Sequence, residues 1–341
     1  MSHARTRILV TSLGSIGRRH LDNLGRLRPD AELGVLRLTG GGDTQPLPDS
    51  CNHVFRTLED AIAFAPQCAI IASPASIHLE LATALLSQGI AVLVEKPLSN
   101  AIDGARELVL LAAKKKLPLM VGYNLRFQPS LAKAKALIDE GAVGRILSVQ
   151  AQIGQYLPSW RPGTDYRKGV SAQAALGGGA LLELSHELDY IYWMFGLPDT
   201  IYCAGGRLSE FEVDVEDCAE ILLEYSGPNR IVNVHMDFLQ SPASRSCRFT
   251  GSGGTIMWDG IADTVTIQPH SGGRAPHTIA CKTDRNQMYL DELDHFLECV
   301  ARRTVPAIDG QQGYDVLAMV AAARRSMIER RPVRPEGFSN E

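Results

Sequence analysis

The 341-residue sequence predicts an α/β protein of two domains, with a doubly wound parallel sheet first and an α+β domain after it. Three observations predict this fold class. Short apolar runs alternate with helical stretches over residues 1–122, a glycine-rich turn follows the first run, and strand patterns then follow one another in series. We place the first domain at residues 1–122, the second at 123–333 and a polar tail at 334–341.

The first domain opens with a buried strand at Arg7–Thr11, which runs into a helix with an apolar stripe at Ile16, Leu21 and Leu24. Further strands are predicted at residues 33–36, 69–72, 91–94 and 119–121, with helices through residues 79–86 and 101–116. Because strand and helix alternate, right-handed crossovers and a doubly wound sheet are expected.

The turn after the first strand has the pattern of a dinucleotide fingerprint, with Ser12 in place of its first glycine. Gly14 lets the backbone approach a pyrophosphate, and Gly17 lets the helix pack close to the strand. The amides of Ser15 and Ile16 then face the phosphates at the positive end of the helix. An ordinary glycine turn is the alternative, but a position at the first strand-to-helix turn favours nucleotide binding.

Arg37 lies about 20 residues beyond the last glycine, at the end of the second predicted strand. NAD-specific sites place Asp or Glu there to accept hydrogen bonds from the ribose hydroxyls. An arginine pairs instead with a 2′-phosphate or stacks on adenine, so this position leans toward NADPH or toward use of both cofactors. The alternative is a solvated arginine at a strand end.

An ordered set of segments along most of the chain resembles the glucose–fructose oxidoreductase, inositol dehydrogenase and rhizopine catabolism (Gfo/Idh/MocA) family. The segments are Gly14–Gly17, Ser73-Pro74 with His78, Gly89 with Glu95-Lys96-Pro97, Asn124–Pro129, Gly141–Gly144, Gly177–Gly179 and His186–Asp189. The resemblance implies a Rossmann domain that binds NAD(P), with cofactor contacts at Ser73, Pro74, His78, Glu95 and Lys96. It also implies a large open, mostly antiparallel sheet in the second domain, whose exposed face forms a homodimer or homotetramer.

Lys96 is the first candidate catalytic residue. Hydride transfer between a secondary alcohol and nicotinamide needs a group that stabilises charge on the alcohol oxygen. Lys96 ends a strand at the carboxyl edge of the predicted sheet, where open α/β folds bind their ligands, and Pro97 restrains its backbone to an extended form. The resemblance assigns the catalytic lysine of the family to Lys96. The alternative is a surface lysine at a strand end.

His186 is the candidate proton carrier, because histidine takes either protonation state near neutral pH. We expect it on a helix that begins after the glycine run, with the candidate catalytic residue Asp189 three residues further along the same face, where its carboxylate orients the histidine ring or sits behind it. The family pattern is Asp-x-Gly-x-His, whereas this chain has Glu183 only three residues before His186 and no glycine between them. Glu183 is the expected partner of the histidine as its i, i+3 neighbour, and the altered spacing puts their hydrogen bond in doubt.

Substrate contacts are expected from two segments. Asn124 offers a donor and an acceptor to a sugar hydroxyl. For Arg126, a place in the substrate pocket and an ion pair between the domains are equally favoured interpretations. In the loop at residues 155–168, Tyr156 and Trp160 suit packing on a sugar face, and Arg167 with its neighbour Lys168 indicates an anionic substrate. The alternative is an ordinary surface loop.

The second domain is expected to form an antiparallel sheet. Its strands are predicted at residues 146–153, 201–204, 219–225, 230–238, 245–250, 255–258, 264–268 and 278–281, and its helices at residues 130–140, 287–302 and 311–330. The chain from Arg331 onward reads as a polar, mobile extension.

Composition narrows the class of protein. A net charge of −4 argues against binding to nucleic acid or to a membrane surface, and no apolar run approaches the roughly 20 residues of a membrane span. Seven scattered cysteines without CxxC spacing argue against a disulfide framework or a metal site. The first residues lack the apolar core of a signal peptide, so a cytoplasmic location is expected.

The sequence therefore predicts an NAD(P)-dependent dehydrogenase or reductase acting on a secondary alcohol or ketone of a sugar, cyclitol or sugar derivative. Two alternatives keep the fold. One is a reductase of an imine, enone or tetrapyrrole, and the other is a catalytically silent NAD(P)-binding sensor or assembly protein, which the altered Glu-x-x-His spacing suggests.

Overall fold

The computed structural model describes residues 5–37, 46–227, 229–270 and 275–338, and the chain forms two compact units. The first consists of Met1–Tyr123 and Tyr289–Tyr314, and the second of Asn124–Met288 and Asp315–Glu341. This division differs from the predicted domains, since residues 289–314 pack with the first unit. Arg28 Nη2 lies 2.9 Å from Asp294 Oδ1. The Arg19 guanidinium lies over the ring of Tyr289, 4.3 Å from the ring centre.

The first unit is built on a six-stranded parallel sheet in the order β3-β2-β1-β4-β5-β6. Its strands are β1 (Arg7–Thr11), β2 (Glu32–Leu36), β3 (His53–Phe55), β4 (Cys68–Ile71), β5 (Ala91–Glu95) and β6 (Leu119–Gly122). Its helices are α1 (Ser15–Leu27), α2 (Leu58–Ala63), α3 (His78–Ser87) and α4 (Ala105–Lys115), together with most of α8 (Gln287–Arg302).

The central strands of this sheet are buried along nearly their whole length, as expected for a parallel sheet covered on both faces. The strand order reverses between β1 and β4, and this switch point is where open α/β sheets bind their ligands. The residues that follow β1 and β4 therefore stand at the favoured edge for a nucleotide.

The second unit is built on an eight-stranded sheet in the order β14-β13-β12-β11-β7-β10-β9-β8. Its strands are β7 (Ile146–Gly154), β8 (Thr200–Gly206), β9 (Cys218–Ser226), β10 (Asn229–Asp237), β11 (Ser244–Gly251), β12 (Gly254–Asp259), β13 (Thr264–Pro269) and β14 (His277–Ala280). Its helices include α5 (Pro129–Asp139), α6 (Ala180–Glu183) and α7 (His186–Phe195), and α9 spans Gly310–Glu329. Pairing is antiparallel except between β7 and β10.

Side chains alternate across this sheet, so that one face is buried and the other is largely exposed. Val232, Phe249 and Trp258 lie on the buried face, where the Trp258 indole donates to Ser130 Oγ of α5 at 2.9 Å. Ile231 and Met257 lie on the opposite face, 52% and 37% exposed.

The predicted fold class is confirmed, and every predicted strand is found with its ends within two residues of the prediction. One strand was missed, β3, which is short and polar at its start. The expectation of a mobile chain from Arg331 is wrong for residues 331–338. Val333 is 5% exposed and pairs with Ile201 of β8, and the Phe338 amide donates to Asp315. The tail residues 339–341 lie outside the described residues.

Among the described residues, no helix is both long and apolar enough to span a bilayer. All seven cysteines are free, and five of them are buried. Burial raises the pKa of the Cys68 thiol to about 12, which keeps it protonated and unreactive at neutral pH.

Candidate functional site

The turn between β1 and α1 is shaped by the two residues that the fingerprint pattern places at its ends. Ser12 adopts φ 76°, a left-handed conformation that glycine usually takes, and its amide donates to Leu36 O at 2.8 Å. Gly17 is required by packing, because a Cβ there would lie 2.3 Å from the Ser12 carbonyl oxygen. Serine thus keeps the turn without the first glycine of the pattern.

Gly14 has a different surrounding. Its nearest contact among the described residues for an added Cβ is Ser12 Oγ at 3.9 Å, so the fold itself leaves this position open. Gly14 is also the N-cap of α1, which has no side-chain cap and no acidic residue in its first turn. Open space beside an uncapped positive helix end fits a dinucleotide pyrophosphate.

The segment after β4 lies at the same switch point and includes Ser73, Pro74 and His78. The buried Ser73 hydroxyl has no hydrogen-bond partner among the described residues, which fits a ligand at this edge. His78 is 1% exposed, with Nδ1 2.9 Å from Pro97 O and Nε2 2.8 Å from Ser73 O. Burial lowers the pKa of His78. Its ring is therefore occupied with backbone carbonyls, and we assign it to positioning this segment rather than to direct cofactor contact.

Glu95, Lys96 and Pro97 follow β5 at the carboxyl edge of the sheet. Glu95 Oε1 lies 2.6 Å from Nε2 of His20, a fully buried residue of α1. This side-chain contact joins α1 to the end of β5. Gly122 of β6 makes room for Glu95, since a Cβ there would lie 3.1 Å from Glu95 Oε2. Lys96 is half-buried, and the peptide between Lys96 and Pro97 is cis. The sequence pattern had not singled out His20.

Arg37 follows β2 directly and is half-buried, with its amide donating to Phe55 O of β3 at 2.9 Å. The backbone of Arg37 is thus fixed by the strand that sequence patterning missed. Residues 38–45 lie outside the described residues.

In the second unit, the glycine run before α6 is explained by close packing. A Cβ on Gly178 would lie 2.3 Å from Val170 O, and one on Gly179 would lie within 2.8 Å of three Glu216 side-chain atoms. Glu216 Oε1 accepts from the Leu181 amide at 3.1 Å, which satisfies a donor at the start of α6. The run therefore lets the chain pass close to Glu216 and begin a short helix.

Glu183 and His186 do not share a helix, which corrects the expectation from their spacing. Glu183 ends α6, His186 begins α7, and Leu184 and Ser185 lie between the helices. Glu183 Oε2 accepts a hydrogen bond from Ser171 Oγ at 2.8 Å, and Ser171 is buried. Both candidate residues are half-buried. Ser171 was not predicted, and no sequence signal distinguishes it from other loop serines.

Asp189 and Arg126 form an ion pair with each other, whereas the sequence predicted that Asp189 serves His186. Arg126 Nε lies 3.0 Å from Asp189 Oδ2 and its Nη2 lies 2.6 Å from Oδ1, with the side chains 4% and 0% exposed. Because both lie in the second unit, this is not an ion pair between domains. Its depth and bidentate geometry leave Asp189 no route to a substrate, so we assign the pair to holding α7 against the turn at Asn124–Phe127. Asn124 itself is 5% exposed.

The loop after β7 holds the other predicted substrate contacts. Arg167 is held by two carboxylates, with Nε 2.8 Å from Asp165 Oδ1 and Nη1 3.0 Å from Glu212 Oε1, and this pairing corrects the expectation that it is available to a substrate anion. Tyr156 is 40% exposed and packs edge-on against Phe211, with ring centres 5.5 Å apart. Trp160 is half-buried and lines a cavity in this loop.

Among the described residues, no group of three or more His, Cys, Asp or Glu side chains is arranged to hold a metal ion.

Comparison with known proteins gives the family. Residues 6–123 match an oxidoreductase family with an NAD-binding Rossmann fold, and residues 131–257 match the GFO/IDH/MocA C-terminal domain. A trans-1,2-dihydrobenzene-1,2-diol dehydrogenase from Oryctolagus cuniculus is 31% identical over 72% of this chain and 75% of its own. The chain belongs to the Gfo/Idh/MocA family.

Two further relatives of the Gfo/Idh/MocA chain cover nearly its whole length. A myo-inositol 2-dehydrogenase from Thermotoga maritima is 25% identical over 97% of this chain and 98% of its own. The solved structure of a levoglucosan dehydrogenase in complex with NADH and levoglucosan superposes with a TM-score of 0.86, at 18% identity, over 98% of this chain and 100% of that one. At that identity the superposition shows the shared fold. The family resemblance inferred from sequence is confirmed.

Proposed function

We propose that this protein is an NAD(P)-dependent dehydrogenase or reductase that transfers a hydride between the nicotinamide and a secondary alcohol or ketone. The observation that supports it most is the β1–α1 turn, where the open space at Gly14 and the uncapped helix end suit a dinucleotide. Lys96 follows β5 at the same carboxyl edge of the sheet. A cofactor-binding edge that also presents a lysine suits charge stabilisation on a substrate oxygen.

We assign the chemistry to three side chains. The bound cofactor supplies or accepts the hydride. Lys96 donates a hydrogen bond to the reacting oxygen and stabilises negative charge on it, and His186 takes or returns the proton of that oxygen. Glu183, which accepts a hydrogen bond from Ser171 at 2.8 Å, is kept in this proposal as the partner that orients His186. Asp189 has no part in the reaction, because its carboxylate is committed to Arg126.

The proposed substrate is a sugar, a cyclitol or a derivative of one. The names of two relatives support this class, since one is a myo-inositol dehydrogenase and one was solved with levoglucosan. The rabbit relative is named for a dihydrodiol, which is also a secondary alcohol but not a sugar. A panel of substrates therefore includes both kinds of alcohol.

We also propose a preference for NADPH, resting on Arg37. Its position one residue past β2 suits contact with a 2′-phosphate, which an arginine pairs with in bidentate fashion. The test is a fluorescence titration with NADH and NADPH, on the parent protein and on Arg37→Asp. Tighter NADPH binding that the variant reverses supports the assignment, while equal or NADH-favoured binding by the parent removes Arg37 as the reader of the phosphate.

A homodimer or homotetramer is proposed through the exposed face of the eight-stranded sheet. Tyr202, Ile231 and Met257 are exposed there, 37%, 52% and 37% respectively. Light scattering on the parent and on Ile231→Glu tests this, because a charge in a buried contact between copies favours dissociation. A parent that is monomeric at all concentrations contradicts the proposal.

A further inference from the structure

A cavity of about 300 Å³ lies within the loop between β7 and α6, wholly inside the second unit. Its walls include Leu157, Trp160, Arg161, Tyr166, Lys168 and Ser171. The volume is at the small end of small-molecule sites, so it suits one group of a ligand rather than a whole dinucleotide.

Two aromatic side chains of the cavity wall are fixed by contacts with residues outside the cavity. The Trp160 indole donates to Gln155 O at 2.8 Å and packs edge-on against Phe238, with ring centres 5.1 Å apart. The Tyr166 hydroxyl accepts from the Glu212 amide at 3.3 Å. Walls fixed in this way present a preformed surface, which lowers the entropy cost of binding.

The charges of the cavity are unequally satisfied. Asp165 lines it too, but Arg167 donates to that carboxylate through Nε and Nη2 at 2.8 and 3.0 Å. These hydrogen bonds hold the pKa of Asp165 below its usual value and keep its carboxylate paired with Arg167. Arg161 and Lys168 are both exposed, and neither side chain forms an ion pair within the described ranges. The lining side chains Arg161, Lys168 and Asp165 together carry a net charge of +1, and the one negative charge among them is already paired with Arg167.

The cavity adjoins Glu183, one of the proposed catalytic residues of the same unit, through Ser171. Ser171 forms part of its wall and donates to Glu183 at 2.8 Å, and Glu183 lies three residues before His186. A ligand group seated in the cavity would therefore lie beside Ser171, whose hydroxyl is bonded to Glu183.

We propose that this cavity binds the carboxylate or phosphate of an acidic substrate, with Arg161 and Lys168 as its anion-binding residues. This inference rests on the proposed function and narrows its substrate class to acidic sugars or cyclitols. An arginine and a lysine suit either anion, and the aromatic walls suit the apolar face of the attached ring.

The test measures direct binding, so it does not depend on turnover. Calorimetric titration of the full chain, with and without NAD⁺, compares D-glucuronate and glucose 6-phosphate with D-glucose. We expect an acidic sugar to bind roughly 10-fold more tightly than glucose, and its advantage to shrink as salt rises. The acid that binds more tightly identifies the anion as carboxylate or phosphate.

Three variants assign the effect to the cavity. Arg161→Gln and Lys168→Gln are each expected to weaken binding of the acidic sugar about 3- to 10-fold and to leave glucose unchanged. Arg303→Gln removes the same charge from an exposed position after α8 and is expected to change neither. Circular dichroism establishes that each variant keeps the fold.

The proposal is overturned if neither acid binds more tightly than glucose, or if the two cavity variants behave like Arg303→Gln. Failure of the proposed function has a different signature, namely absence of NAD(P)H binding or of turnover with every alcohol. If the protein oxidises neutral sugars and shows no preference for acidic ones, the proposed function stands and the anion-binding cavity is refuted.

Discussion

Gly14 and Gly17 lie in one turn, yet their surroundings predict opposite effects of a single added methyl group. For Gly14 the nearest described atom to an added Cβ is 3.9 Å away, and φ −63°, ψ 178° is a conformation open to any residue. For Gly17 the Cβ would lie 2.3 Å from a backbone carbonyl oxygen. Gly14→Ala should therefore affect ligand binding and Gly17→Ala should affect the fold.

The magnitudes follow from these distances. Gly17→Ala must open the contact from 2.3 Å to the 3.4 Å of an ordinary contact, a shift of 1.1 Å in a packed turn. Overpacking of this kind costs about 1–3 kcal/mol of unfolding free energy. For Gly14→Ala, restriction of the unfolded chain stabilises by about 0.4–1 kcal/mol, and loss of a glycine N-cap offsets part of it.

The assay pairs urea unfolding with an NADPH fluorescence titration. We expect Gly14→Ala to keep the parent's stability and to lose about 10-fold or more in affinity, because the methyl group fills the space of the pyrophosphate. Gly14→Asp should abolish binding by adding a negative charge at that point. Unchanged affinity in Gly14→Asp, or a Gly17→Ala variant as stable as the parent, would refute this reasoning.

Three further predictions concern polar contacts of Arg126, His20 and His235. Arg126→Met should lose about 3–5 kcal/mol of unfolding free energy by leaving Asp189 buried without its partner, and adding Asp189→Leu should recover most of the loss, as measured by urea unfolding. His20→Leu should cost about 1–3 kcal/mol by removing the donor to Glu95, whereas His20→Gln, which keeps a donor, should cost less; equal losses in both would contradict the hydrogen bond. The carboxylates of Glu220 and Asp237 raise the pKa of His235 to about 9, with the hydrogen bond to Asp237 the larger cause. Since the pKa is raised on folding, this stabilisation is complete below about pH 6.5 and is lost as pH rises through about 9, so the parent should lose more stability than His235→Gln between pH 7 and 10.

The fold was predictable because its signals are local. Short, mostly apolar runs of four or five residues locate the first unit's strands other than β3, and their alternation with helices implies a parallel sheet. Alternating polar and apolar residues locate the longer strands of the second unit. β3 was not predicted, because its three residues, two of them exposed, form too short a pattern to distinguish a strand from a loop. Val333 likewise is a single apolar residue in a polar tail, and only its pairing with Ile201 shows that the tail is anchored.

The positions of the candidate site's motifs in the fold were predictable, and the partners of its side chains were not. Ser12–Gly17 and Glu95–Pro97 stand where their patterns placed them, at the carboxyl edge of the first sheet. The partners of Arg126 and Glu183, in contrast, are fixed by contacts between residues 63 and 12 positions apart. Helical spacing suggested Glu183 as a same-helix neighbour of His186, but the break between α6 and α7 at Leu184 has no proline or glycine to announce it.

The central claim is that this chain catalyses hydride transfer with Lys96 at the reacting oxygen. The most direct measurement is NAD(P)H formation at 340 nm with a panel of neutral and acidic sugars, cyclitols and a dihydrodiol, for the parent and for Lys96→Ala. We predict turnover by the parent and a fall in kcat of about 100-fold or more in the variant, with NAD(P)H affinity and stability retained. Cofactor binding without turnover by the parent on any alcohol would contradict the claim and favour a silent NAD(P)-binding protein.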